Sequence, residues 1–232
     1  MVVPFMLLVS AYKTVLEPSR SLIIWFTIGM IIAAFIIGIV VLARIRKTSV
    51  TTSKYLLVGI GLMAILFSLG RAVLLYHDYY ASDEWDIFFW KIGSALVLAG
   101  LTSLAFTIEK FMFPKTKKLI TIIGVACLVL IFFMDKTIAT ILLYVGNITV
   151  MLLPFCIYIY LAKISTGSGR RSALIIILGM ILVLIGQLGG AVIFNLLKDM
   201  LASQLFGIFL SLFGLIFLAI GFIKTIAASS SR

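Results

Sequence analysis

The chain has few of the residues from which catalytic and metal sites are built. Its 232 positions contain one histidine, two cysteines and eight acidic residues. Cys127 and Cys156 fall in apolar stretches and form no Cys-x-x-Cys or Cys/His cluster, so neither a disulfide framework nor a metal site is predicted. Metalloprotease, Ser/His/Asp, phosphate-loop and paired intramembrane aspartate patterns are also absent from the sequence. We therefore expect no enzyme activity.

Acidic side chains are outnumbered by basic ones, 8 against 19, which gives a formal net charge of +11. In a soluble protein this excess would indicate nucleic-acid binding. Here no basic helix or aromatic platform lies outside the apolar stretches that make up most of the chain. The positive charge instead marks the loops on one side of a membrane, and no nucleic-acid partner is expected.

Polar residues are too few for a soluble fold. The chain is 63% hydrophobic and 12% charged, with a mean hydropathy of +1.29, whereas a soluble domain is roughly half apolar and a quarter charged. Seven stretches approach or meet the roughly 20 apolar residues that cross a bilayer. The sequence therefore predicts an all-α integral membrane protein, a bundle of seven transmembrane helices with the lipid bilayer as its solvent. The predicted spans are residues 21–43, 55–76, 87–108, 119–134, 138–161, 172–197 and 204–227.

Charge asymmetry predicts the orientation of the bundle, because basic loops stay in the cytoplasm. Thirteen of the 19 basic residues fall on one side of the predicted spans, with Glu109 as the one acid there. We expect a multi-pass cell-membrane protein with its N-terminus outside and its C-terminus in the cytoplasm. The basic residues on the predicted cytoplasmic side are Arg44, Arg46, Lys47, Lys54, Lys110, Lys115, Lys117, Lys118, Lys163, Arg170, Arg171, Lys224 and Arg232.

An internal repeat is predicted from two ungapped alignments. Residues 93–110 and 207–224 share eight of 18 positions, and residues 69–73 match 188–192. Spans one to three then correspond to spans five to seven as a parallel repeat, with span four as a connector. The predicted units are an N-terminal surface segment (1–20), a first three-helix unit (21–110), a connector (111–137), a second three-helix unit (138–227) and a cytoplasmic stub (228–232).

A chain of three plus one plus three helices with an external N-terminus resembles microbial rhodopsins and SWEET-type sugar transporters. Seven helices in this orientation also resemble G-protein-coupled receptors. The resemblance covers nearly the whole chain and is architectural, without a family motif. Rhodopsins carry retinal on a lysine in the middle of the last span. Here Lys224 lies at the end of span seven, so no retinal cofactor is expected.

Arg71 is the most informative polar residue inside a predicted span. A charge in hydrocarbon costs at least about 2.5 kcal/mol, so the side chain should face the bundle or a wet cavity. It could anchor an anionic group of a ligand, because arginine binds carboxylates in a bidentate way. It could equally form a structural pair with Asp78, Asp83 or Asp86, or extend to the membrane interface.

Uncharged polar residues near Arg71 suggest a ligand pocket that opens outward. Ser68, Asn147 and Gln187 lie near mid-membrane, and Ser94 and Asn195 lie nearer the outside. Together with Arg71 they are the predicted ligand-binding residues, with Gln187 and Asn147 as the pocket floor. The alternative is that these groups form hydrogen bonds between helices.

Two further groups lie at the ends of the predicted spans. His77, Asp78 and Trp85 belong to a predicted outer loop, where a histidine beside aspartates could sense pH or simply be solvated. Glu109 is expected to pair with Lys110 or with Arg44 at the cytoplasmic end.

The sequence favours a receptor-like sensor that binds a small ligand in an outward-facing pocket and signals to a separate cytoplasmic protein partner. The inner half of the spans has almost no polar groups, whereas a transporter needs a polar path on both sides. A small-solute transporter of three-plus-one-plus-three architecture is the alternative. A scaffold subunit of a membrane complex, with homo-oligomerisation left open, is the third.

Overall fold

A computed structural model of the protein describes residues 19–47, 51–82, 84–111, 114–197 and 200–230. Every regular element within them is helical, which confirms the all-α class. The predicted surface segment 1–20 lies outside these residues, apart from its last two. Seven α-helices follow in chain order: α1 Ser19–Ala43, α2 Thr51–Tyr79, α3 Asp86–Phe111, α4 Leu119–Phe133, α5 Lys136–Ile164, α6 Gly167–Leu197 and α7 Met200–Ser230.

Six of the described helices contain segments long and apolar enough to cross a bilayer, which is compatible with a multi-pass membrane protein. The shorter apolar helix is α4, whose 15 residues span about 22 Å against a hydrocarbon core of about 30 Å. The six candidate spans are Arg20–Arg46, Lys54–Tyr79, Asp86–Phe111, Lys136–Ile164, Gly167–Gly186 and Leu205–Lys224.

The helices form a ring in which each packs against the next one in the chain. Contacts between α1 and α7 close the ring, and Phe26 meets Phe209 edge to face there with ring centroids 5.1 Å apart. The most extensive pairings are α2 with α3 and α6 with α7. Large apolar side chains such as Ile32 and Ile36 point outward, while Met30 and Ala34 on the same helix are buried. Such an apolar exterior suits lipid as the solvent.

Glycines bring the backbones of both extensive pairs into contact. A Cβ atom added at Gly70 on α2 would lie 2.7 Å from the carbonyl oxygen of Gly93 on α3. A Cβ atom added at Gly186 on α6 would lie 2.7 Å from the carbonyl oxygen of Gly207 on α7. These glycines therefore permit the close helix approach that small residues give in membranes. The sequence alignment matched Gly93 with Gly207 but Gly70 with Gly189, whereas the contacts place Gly70 and Gly186 in corresponding positions.

Residues of α3 satisfy both ends of the short helix α4. Glu109 accepts hydrogen bonds from the backbone nitrogens of Ile120 and Thr121, at 3.2 and 2.8 Å, and from the Thr121 hydroxyl at 2.5 Å. At the other end, Lys91 Nζ donates to the carbonyl oxygen of Met134 at 2.6 Å. The carboxylate thus sits at the positive end of the helix dipole and the ammonium at the negative end.

Glu109 was expected to pair with Lys110 or Arg44, and the partners that the structure gives it lie in the first turn of α4. Its side chain is fully buried, and its oxygens are occupied by the first turn of α4. The residue before α4, Lys118, has a left-handed backbone and makes no side-chain cap. The free amides of α4 therefore require an acceptor from another helix, and Glu109 supplies it.

Candidate functional site

A compact group of charged side chains lies where α2 ends and where α3 and α5 begin. We call His77, Asp78, Asp86 and Lys136 the His77 cluster. The imidazole of His77 is only 1% exposed. Its Nδ1 lies 2.7 Å from Oδ1 of Asp78, and its Nε2 lies 3.1 Å from Oδ1 of Asp86. Lys136 donates to the second oxygen of Asp86 at 2.9 Å, so one aspartate links three helices.

The two ring nitrogens of His77 are engaged differently. Nδ1 and Asp78 form a hydrogen bond. Nε2 is close enough to Asp86 for an ion pair but is not aligned for a hydrogen bond. The cluster therefore combines one local hydrogen bond with a longer chain of polar contacts from His77 to Asp86 to Lys136. Burial lowers the local dielectric and strengthens each of these interactions.

Neighbouring side chains tie more of the bundle to this end. Arg20 at the start of α1 donates from Nη2 to the carbonyl oxygen of Tyr79 at 2.9 Å, and its guanidinium lies 5.4 Å from the Tyr79 ring centroid. Lys136 also lies 5.9 Å from the ring centroid of Trp90 on α3. Helices α1, α2, α3 and α5 thus meet through polar contacts at one end of the bundle.

Two of the three predicted outer-loop residues do not lie in a loop. His77 and Asp78 occupy the last turn of α2, which continues to Tyr79. Trp85 does lie in the connection to α3, where it is exposed and packs edge to face on Phe88 at 5.6 Å. Among the described residues, no group of three or more His, Cys, Asp or Glu side chains is placed to hold a metal ion.

The predicted ligand-binding residues are spread over several helices. On α2, the Ser68 hydroxyl is buried and donates to the carbonyl oxygen of Ile31 on α1 at 2.9 Å. The guanidinium of Arg71, which is partly buried, lies 5.9 Å from the ring centroid of Phe67. Ser94 is also partly buried, on α3.

Asn147 lies on α5. Its Oδ1 is buried and has no hydrogen-bond partner. A Cβ atom added at its neighbour Gly146 would approach Leu98 of α3 and Cys127 of α4, at 3.1 and 3.2 Å. Predicted residues Gln187, Asn195 and Asp83 have side chains outside the described residues.

A small cavity of about 10 Å³ lies at the centre of the bundle, and its lining is entirely apolar. A buried water needs about this much room and two to four polar partners, so the cavity should be dry. The lining side chains come from five helices: Met63, Phe67, Val97, Leu101, Leu104, Met151, Met180, Val183, Leu215 and Leu218.

The roles of Asp86, Lys91 and Lys136 were missed at the sequence level. Each lies in the first turns of a helix, where charged residues are ordinary, and their partners are far away in the chain. The sequence carried only a weak signal for their pairing, namely that Asp86 and Lys136 lie on the same predicted side of the membrane. Nothing in the spacing of these residues specified that they meet.

Comparison of the chain with family models, curated proteins and solved structures gives no match. What it shares with the seven-helix proteins named above is helical architecture with several apolar candidate spans.

Proposed function

We propose that the protein is a receptor-like membrane sensor that binds a small ligand near Arg71 and the His77 cluster and signals to a separate partner at the opposite, basic end. The observation that carries this proposal is the distribution of polar groups. Ion pairs and hydrogen bonds connect four helices at one end, whereas the cavity at the centre is small and apolar. A ligand that altered this end would act on four helices at once without crossing the bundle.

Seven membrane spans with the N-terminus outside are part of the same proposal. The hydrogen bonds of Lys91 and Glu109 to opposite ends of α4 support a seventh span. These two residues lie about 27 Å apart along α3, so α4 runs beside α3 over most of that length. The basic residues that follow α1 and α3 favour the cytoplasm at that end. The His77 cluster would then face the outside.

A small-solute transporter is the second candidate, and one observation favours it. The glycine-packed pairs α2/α3 and α6/α7 both border the central cavity. Two such units, if they are a true parallel repeat, could rock against each other around a central site. A polar path through the described part of the bundle is missing from this account, so we place it second.

Native mass spectrometry of protein purified gently from its own membranes tests the sensor. We expect a retained small molecule in the wild-type protein and its loss in Arg71→Leu, with Arg71→Lys as the matched variant that keeps the charge. The melting temperature of Arg71→Leu should stay near that of the wild type. A large fall in the melting temperature would instead mean that Arg71 has a structural role.

The retained molecule then distinguishes the two candidates. Proteoliposomes that contain the protein are loaded with the retained molecule and placed in a solution of the same molecule carrying a label. If the protein is a sensor, the labelled molecule should not enter the proteoliposomes. Saturable counterflow would instead establish transport and overturn our first choice. A wild-type protein that retains nothing and gives no thermal shift with membrane extracts would contradict both.

A further inference from the structure

A pair of lysines stands over a group of aromatic rings at the basic end of the bundle. We call Tyr55, Phe106, Phe111, Lys110 and Lys118 the lysine shelf. Tyr55 of α2 stacks on Phe111 of α3, with ring centroids 4.2 Å apart. The Lys110 ammonium lies 5.1 to 5.7 Å from all three ring centroids, and the Lys118 ammonium lies 5.5 Å from that of Phe106. Two cations therefore share one aromatic ring.

No described acidic side chain neutralises these two ammonium groups. The adjacent carboxylate, Glu109, is fully buried and engaged by Thr121 and Ile120 on the other side of the turn. Both shelf lysines are exposed, as are Lys115 and Lys117 beside them. Both ammonium groups lie within 5.7 Å of the Phe106 ring centroid, so their positive potentials add around this ring and attract an anion.

The backbone fixes where one of the two charges lies. Lys117 and Lys118 have left-handed backbone angles, with φ of 50° and 63°. Non-glycine residues adopt this conformation at a cost, so two in succession mark a turn that the surrounding structure determines. That turn directs Lys118 back over Phe106.

An apolar stripe leads away from the shelf along the outer surface of α2. Tyr55, Leu62 and Leu69 follow at intervals of seven residues, and each is 40 to 45% exposed. Such a stripe provides a lipid-facing surface that begins where the two ammonium groups stand. The combination of a cationic end and an apolar length matches a phospholipid better than a free anion.

We propose that the lysine shelf is a binding site for an anionic phospholipid. Its phosphate group would lie near Lys110 and Lys118. An acyl chain would follow the apolar stripe of Tyr55, Leu62 and Leu69, here called the Leu62 stripe. Phosphate oxygens accept charge-assisted hydrogen bonds from ammonium groups. The faces of the aromatic rings attract the two ammonium groups and form the floor of the site. This inference goes beyond the proposed sensing function and does not depend on it.

Native mass spectrometry with defined lipids tests this site. Purified protein is offered phosphatidylglycerol and phosphatidylcholine in equal amounts, and the ratio of the two bound lipids is measured. The variant Lys110→Gln/Lys118→Gln should reduce the preference for phosphatidylglycerol by about 25-fold, at about fivefold for each lysine near an anionic headgroup. The arginine variant Lys110→Arg/Lys118→Arg should keep it.

The matched control removes two exposed charges from the same end, Lys163→Gln/Arg170→Gln, and should leave the preference nearly unchanged. An equal loss in the control would show diffuse attraction and overturn the site. An unchanged preference in the Lys110/Lys118 variant would overturn it as well. Melting temperatures in phosphatidylcholine nanodiscs establish that each variant is folded.

A third arm uses inorganic phosphate in place of lipid. If phosphate raises the melting temperature as much as phosphatidylglycerol does at equal concentration, the ligand is the free anion and the lipid assignment is wrong. We expect stabilisation by phosphatidylglycerol alone, because the free anion makes no contact with the Leu62 stripe.

Discussion

Lys91 and Glu109, near opposite ends of α3, bind opposite ends of α4. The lysine donates to the carbonyl oxygens of Met134 and Phe132 at 2.6 and 3.4 Å. The glutamate accepts from the backbone nitrogen of Thr121 at 2.8 Å. One helix thus supplies both charges that complement the dipole of its neighbour, and the shortest apolar helix needs no caps of its own.

Replacing Glu109 should destabilise the bundle strongly. Glu109→Ala removes charge-assisted hydrogen bonds and leaves buried amides without an acceptor, so we expect a loss of about 3 kcal/mol in the free energy of unfolding. Glu109→Gln should lose about half as much, since its amide oxygen still accepts. Thermal unfolding in nanodiscs measures both, with exposed Glu84→Ala as the control that changes little. Equal stability of Glu109→Ala and Glu84→Ala would show that α4 is capped by water instead.

Replacing glycine by alanine should lower the free energy of unfolding at one site and raise it at another. A Cβ atom at Gly214 would lie 2.7 Å from the carbonyl oxygen of Gly179 and from the backbone nitrogen of Val183, so Gly214→Ala should cost about 2 kcal/mol through forced separation of α6 and α7. A Cβ atom at Gly29 would meet nothing within 4 Å, so Gly29→Ala should gain up to about 1 kcal/mol from helix propensity. Melting temperatures of the two variants should move in opposite directions. An unchanged or raised melting temperature in Gly214→Ala would refute the close packing between α6 and α7.

Two buried serines should respond differently to removal of their hydroxyls. Ser68 donates to the carbonyl oxygen of Ile31, so Ser68→Ala should cost about 1 kcal/mol. Ser211 is fully buried and its hydroxyl has no hydrogen-bond partner, so Ser211→Ala should be neutral or stabilising by up to about 1 kcal/mol. Denaturation of both variants in the same detergent compares them directly. A marked loss of stability in Ser211→Ala would reveal a partner for this hydroxyl.

The ion pair between Asp86 and Lys136 should show measurable coupling. Both side chains are partly buried, 20% and 26% exposed, and their charged atoms lie 2.9 Å apart. A double-mutant cycle with Asp86→Asn and Lys136→Met should give a coupling energy of about 1 kcal/mol, somewhat above that of most exposed pairs. High salt should reduce it only slightly because the pair is shielded. A coupling energy of zero would show that the contact is incidental. The link between α3 and α5 would then depend on packing alone.

The helical class and the seven helices of the described residues could be predicted from long apolar runs, because such runs have no alternative to a helix in a bilayer. Six predicted spans lie within a described helix, and the fourth extends one residue beyond α4. Gly93 and Gly207, which the repeat alignment matched, both lie at close helix contacts inside the bundle.

Helix ends and partners were less predictable, because they depend on contacts between distant residues. His77 looked like a loop residue since polar residues follow it. Arg20 of α1 binds the last turn of α2 at Tyr79, and Asp86 of α3 lies against His77, which favours continuation of the helix. Glu109 was assigned to Lys110 or Arg44 because these bases lie at the same predicted end of the bundle. Its true partner, Thr121, becomes visible only when the connection before α4 is known.

The ring arrangement has a consequence for the order in which the protein assembles during synthesis. The glycine-packed pairs α2/α3 and α6/α7 join helices that are consecutive in the chain, so each hairpin can form as soon as its second helix has left the ribosome. The contact between α1 and α7, including Phe26 with Phe209, must wait until almost the entire chain has been made. Until then α1 packs against α2 alone among the described α-helices, and a nascent chain stopped before α7 would present an open bundle to the machinery that surveys newly made proteins.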